Sequence, residues 1–156
     1  MTGIAPIRDG MAAAEATGTR SNDPFHLALL AEALAFAGKI EQGLAAIDDA
    51  LATAAVSGAK GWDAEIHRLR GELTARLPYP DPAKTEDSFR TALTIAREQG
   101  ARGYELRAAT SLARIWREHG RPGEARDLLA PVYGWFTEGF DTADLKDAKA
   151  LLDELA

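Results

Sequence analysis

The sequence predicts an all-α protein assembled from repeated helix pairs, and three observations carry that reading. Ala and Leu dominate the 46% of hydrophobic residues, while Val, Ile and Thr are sparse. This composition favours helix over sheet. Apolar residues recur at helical spacing in every long segment. Similar stretches also return at a fixed interval: Gly18-Thr19-Arg20, Gly58-Ala59-Lys60 and Gly100-Ala101-Arg102 are separated by 40 and then 42 residues.

Residues 3–17 read as a first helix, with Ile4, Ile7, Met11 and Ala14 on one face and Gly18 as its stop. Asn22-Asp23-Pro24 offers a cap followed by proline at the first helical position. It opens a helix over 24–37 that turns Leu27, Leu30, Ala31 and Leu34 inward and ends at Gly38. A helix over 40–57 carries Leu44, Ile47, Ala50, Leu51 and Ala54 and ends at Gly58; one over 62–76 carries Ile66, Leu69 and Leu73. Leu77–Lys84 holds three prolines and is expected to be irregular. The helix over 85–99 buries Phe89, Ala92, Leu93 and Ala96.

Leu106–Tyr133 reads as two helices and a tight turn. Ala109, Leu112, Ala113 and Trp116 face inward on the first, and Gly120 ends it. Pro122 starts the second, which turns Ala125, Leu128, Leu129 and Val132 inward. Pro131 lies inside it and removes the bond to the Asp127 carbonyl, so a kink is expected there. Asp141-Thr142 caps a last helix over 143–155, with Leu145, Ala148, Leu151, Leu152 and Leu155 inward. Eight helices and no strand result.

The repeat has internal checks. Met11, Leu51 and Leu93 keep the intervals of 40 and 42, and Trp62–Tyr104 and Leu73–Ile115 are each 42 apart. A period of this size is the signature of a helical solenoid, in which each pair buries its face against its neighbours.

Composition excludes several function classes. A net charge of −6 lacks the basic footprint of a general nucleic-acid binder. The absence of cysteine removes disulfides, thiolate catalysis and cysteine-based metal sites. No apolar run reaches the roughly 18 residues of a membrane span, and MTGIAPIRDG has no signal-peptide core. A cytoplasmic protein is expected.

The helix pairs resemble the tetratricopeptide repeat, whose pattern is W-x2-L-G-x2-Y, then A-x3-F, then P. Ala109-x2-Leu112-Ala113-x2-Trp116 followed by Ala125-x3-Leu129 matches its first two parts. So does Leu27-x2-Leu30-Ala31-x2-Leu34 followed by Gly43-x3-Ile47-x2-Ala50. The middle unit departs: His67, Arg70 and Thr74 occupy its large apolar positions around Gly71, which points to a helix rotated onto Ile66, Leu69 and Leu73. Thr85-x3-Phe89-x2-Ala92 completes that unit. Glycine replaces the terminal proline in every unit, and the period is longer than the usual one, as in the long variety of bacterial signalling proteins. The tail from Ala130 resembles the C-terminal end of bacterial proteins that join a nucleotide cyclase or regulatory domain, a STAND-type ATPase and such repeats. No cyclase or ATPase motif lies within these residues, so neither activity transfers.

The resemblance implies a right-handed α-α superhelix forming a single domain over 1–156. It divides into a half-repeat or capping helix over 1–18, repeats over 22–58, 62–100 and 102–139, and a capping helix over 141–156. By the repeat interval, the first helix matches the second helix of a pair. Either the chain belongs to a longer protein or this helix serves as a cap. An unpaired first helix also leaves an end through which copies could associate.

No catalytic apparatus is legible. The glycines stand at helix ends, and no phosphate-cradling motif occurs. His26, His67 and His119 have no ligand-spaced partner; His67 with Glu65 and Glu72 spans different helix faces. Trp116 reads as core, Trp62 and Tyr104 as wedges between successive units, and Trp135, Phe136 and Phe140 as anchors of the last helix.

In the tetratricopeptide family the first helix of each pair lines a groove that takes peptides. The resemblance places Glu32 and Phe36 there, then Glu65, Arg68, Glu72 and Arg76, then Arg107, Arg114, Arg117 and Glu118. Spacing makes a ladder of Glu65–Arg68, Arg68–Glu72 and Glu72–Arg76, expected to be a solvated charged face. Arg107, Arg114 and Arg117 share a broad side, with Glu118 the one acid at i+4 from Arg114. An arginine excess of this kind suits the carboxylates of an acidic segment. The expected function is a non-catalytic interaction or regulatory module of a bacterial signalling protein. It would bind a protein or peptide and use no cofactor or metal. A small-molecule sensor is the alternative; it would need an apolar pocket lined by Phe36 and its neighbours.

Overall fold

Caps and turn glycines decide where each helix starts and stops. The computed structural model describes Ala5, Pro6, Asp9 and residues 23–156. Apart from those first three, the helix expected over 3–17 lies outside the described residues. Seven helices follow: α1 (Pro24–Phe36), α2 (Ile40–Ser57), α3 (Asp63–Ala75), α4 (Pro82–Glu98), α5 (Arg102–Glu118), α6 (Pro122–Gly134) and α7 (Ala143–Glu154). No strand occurs among the described residues. The Asp23 carboxylate accepts the Phe25 N–H at 2.8 Å, with Pro24 leading α1. Gly120, at φ +75°, lets the Arg121 N–H return to the Trp116 carbonyl at 2.8 Å and ends α5.

One boundary differs from expectation. Leu77–Lys84 is not irregular throughout, because α4 begins at Pro82. Asp81 accepts the N–H groups of Ala83 and Lys84 at 3.0 and 3.3 Å. Proline fits there because a first-turn N–H has no helical partner to lose. A count of prolines marks a break without locating the cap inside it.

Each helix packs against the next. The odd-numbered helices also touch one another in sequence, α1 on α3, α3 on α5 and α5 on α7, whereas α2, α4 and α6 make no mutual contact. The chain therefore forms two layers. One apolar cluster joins α1, α2 and α3 through Leu27, Leu30, Leu34, Ile47, Ile66 and Leu73. The other joins α4 to α7 through Phe89, Leu106, Leu112, Trp116, Leu129 and Leu151. As spacing predicts, α3 buries Ile66, Leu69 and Leu73. Phe89 of this second cluster packs its ring against α3, where a methyl built on Gly71 would stand 2.5 Å from Cε1.

The aromatic residues divide by role. Trp116 is core, with the Arg90 and Arg121 guanidinium groups 5.0 and 4.6 Å from its ring. Phe25, Trp62 and Tyr104 stand at the starts of α1, α3 and α5 and form a row, with ring centroids 4.6 and 6.2 Å apart. The expected anchor of α7 is only partly so. Phe136 packs against the core, but Trp135 is 55% exposed under Arg102, and Phe140 is also exposed. Leu145, Ala148, Leu151 and Leu155 already seat α7, and the loop has no further core to reach.

Half-buried His67 on α3 yields a pH-dependent stability. Burial and then the charge of Arg70 lower its pKa, while Asp63 and Asp87 pull it up less strongly. The unfolded chain therefore binds the proton more readily than the native one. Stability from this group is complete above about pH 6.5 and declines as pH falls through the depressed native value. Urea midpoints taken from pH 7.5 to pH 5 should fall more steeply for the wild type than for His67→Gln. Parallel profiles would assign the dependence to other groups.

Candidate functional site

The charged residues of the odd layer are held by α3, α5 and α7. On α3, Glu65 lies in the first turn, where the helix dipole favours a carboxylate, and Arg68 and Glu72 follow it at i+3 and i+7. The Glu65 carboxylate accepts Arg68 Nε and Nη2 at 2.9 and 2.7 Å, a two-pronged pair. Arg68 Nη1 reaches Glu72 at 3.2 Å, and the Ser111 hydroxyl on α5 donates to the same Glu72 oxygen at 2.7 Å. Arg107 on α5 closes the network: its Nη1 lies 2.7 Å from Glu65 and its Nε 3.6 Å from Asp144 on α7.

This corrects the expectation of a solvated face. Glu65 and Arg68 are 8% and 9% exposed, sealed between α3 and α5. Burial opposes the Arg68 charge, yet the Glu65 hydrogen bond and the charges of Glu65, Glu72 and Glu32 hold its pKa above the ordinary value. The expected Glu72–Arg76 rung is absent, because Arg76 turns to the Ala35 carbonyl at the end of α1, 2.9 Å away. That carbonyl at the helix end, which also accepts the Gly38 N–H at 3.0 Å, takes the guanidinium in place of an exposed i+4 carboxylate, a pairing worth little.

The arginine excess is corrected too. Arg107 engages Glu65 and Asp144, Arg117 pairs with Glu154 of α7, and Glu118 forms no ion pair with Arg114. Arg114 has no ion-pair partner among the described residues and lines a cleft of about 90 Å³ with Ser111, Asp144 and Asp147. Phe36 stands 85% exposed at the end of α1, so it lines no enclosed apolar pocket. Thus the structure brings Arg68, Glu72, Arg107 and Arg114 together and leaves Phe36, Arg76 and Arg117 at separate places. The spacing argument missed Ser111, Asp144 and Glu154, since their partners lie on other helices and no local interval reveals them.

Among the described residues no three metal-ligating side chains converge, and none of their helices is long and apolar enough to cross a membrane. No protein-family model matches the sequence. A stretch of 114 residues, 73% of the chain, is 32% identical to an uncharacterized protein of Rhizobium meliloti (strain 1021). The chain spans only 11% of that protein's length.

Proposed function

We propose that the chain is a non-catalytic, tetratricopeptide-like interaction module that offers its odd-helix layer to a protein or peptide partner. Two supports underlie the solenoid reading. The 40–42-residue interval is a sequence property, and the odd helices touch while the even ones do not. In the right-handed superhelix of this reading, the odd layer would line the inner, concave side. The much longer relative fits a module carried within a larger bacterial signalling polypeptide in the cytoplasm.

The observation that carries the binding reading is Arg114. It is a guanidinium with no ion pair among the described residues, set in a charged surface that crosses three helices. An acidic side chain of the partner would pair with it at one point. Asp144 and Asp147 on the rim would repel a uniformly acidic segment, so the partner needs mixed charge around a central carboxylate. Capture of partners from host lysate tests this with Arg114→Glu against wild type and the exposed Arg126→Glu. Recovery with Arg114→Glu should fall about tenfold, the equivalent of one charge-assisted contact. Equal recovery from all three proteins would refute the reading.

A further inference from the structure

The aromatic row at one end of the odd layer stops short by one rung. Phe25 lies at the second position of α1, Trp62 caps α3 and Tyr104 lies at the third position of α5. Each ring packs at a tilt against the next, with interplanar angles of 37° and 54°, where successive odd helices begin. The next odd helix is α7, and its equivalent residue is Asp144, forty residues after Tyr104. No ring is available there to cover Tyr104 from the α7 side. A cleft of about 270 Å³ takes its place, lined by Ala101, Gly103, Tyr104, Arg107 and Asp144.

The walls of this cleft define what it fits. Gly103 contributes no side chain and nothing stands within 4 Å of where its Cβ would be, so the floor beside the Tyr104 ring is open. The volume lies just below the range of drug-sized pockets, enough for one or two fused rings. The Tyr104 ring, packed at a tilt against Trp62, offers a surface for stacking toward the cleft. At the rim Asp144 accepts hydrogen bonds and Arg107 donates them. Arg107 is held by Glu65 at 2.7 Å and reaches Asp144 only at 3.6 Å, which leaves carboxylate oxygen capacity unused.

We infer that this cleft binds a small planar heteroaromatic molecule, which stacks on Tyr104 as the missing rung and donates a ring N–H to Asp144. A ring of this kind replaces the absent aromatic side chain and supplies the donor that the carboxylate lacks. An apolar ring satisfies the first condition alone, and a saturated ring of equal size satisfies neither. The site adjoins the Arg114 surface and shares Arg107 and Asp144 with it, but does not rest on the partner-binding reading.

Amide chemical-shift mapping by NMR on the intact chain tests it, with adenine, indole and cyclohexanol as separate probes at millimolar concentration. Adenine and indole should shift Gly103, Tyr104, Arg107 and Asp144 as one cluster, and cyclohexanol should not. Tyr104→Ala should weaken binding of both by tenfold or more. Asp144→Phe, an exposed position that leaves the α7 core face intact, should complete the row and abolish the shifts while the far-ultraviolet spectrum is unchanged. Asp144→Asn should weaken both probes, because it exchanges one of two accepting oxygens for a donor. Scattered shifts, equal response to cyclohexanol, or retained binding in Asp144→Phe would each overturn the assignment.

Discussion

Replacing Glu65 by Ala is expected to remove about 3–5 kcal/mol of stability, the usual cost of breaking a buried ion pair by deleting one partner. One carboxylate here serves two guanidinium groups, Arg68 at 2.7 and 2.9 Å and Arg107 at 2.7 Å. Its loss leaves Arg68 buried between α3 and α5 with only the longer contacts to Glu72 and the Ser111 hydroxyl. Replacing both members is different in kind. In Glu65→Leu/Arg68→Met neither charge is stranded, and apolar side chains of similar size suit the interface. The double variant should therefore be more stable than Glu65→Ala. Guanidinium chloride midpoints at constant slope measure both. A loss below about 1 kcal/mol for Glu65→Ala would mean that water reaches the network and solvates it, as at surface pairs.

Phe89→Ala should cost about 3–5 kcal/mol, in the range of buried aromatic truncations. Phe89 is 1% exposed and its ring lies against Gly71 of α3, so the void opens where α4 meets α3. The reciprocal change is informative. Gly71→Ala places a methyl 2.5 Å from the ring, a distance that no side chain tolerates, and should cost about 1–3 kcal/mol by overpacking. Gly71→Ala/Phe89→Leu restores part of the volume match and should be less destabilised than the sum of its single changes. Strict additivity would show that the two residues do not constrain each other and would undo the account of how α3 meets α4.

Legibility differed between elements for physical reasons. Helix periodicity is local, and Leu27, Leu30 and Leu34 or Ala109, Leu112 and Trp116 mark their buried faces within a few turns of chain. The rotation of α3 onto Ile66, Leu69 and Leu73 was legible for the same reason. Polar pairing is not local. A carboxylate three or four residues away is a weak partner when exposed. Arg107 reached instead for Glu65 and Asp144, which lie far from it along the chain, and Arg76 for the carbonyl of Ala35. Trp135 misled because aromatic identity alone does not say whether a core surface is within reach.

By itself the sequence determined the all-α class, the order of the helices from 24 onward and the face each one buries. Those features arise from short-range periodicity, caps and turn glycines, which act wherever the chain is placed. Only the tertiary structure decided which charges are sealed at the α3–α5 seam, that Arg114 stands apart from them, and that the aromatic row ends at Tyr104. Those outcomes depend on which helix ends meet. A charge or ring acquires its role from neighbours that folding brings to it across the stack.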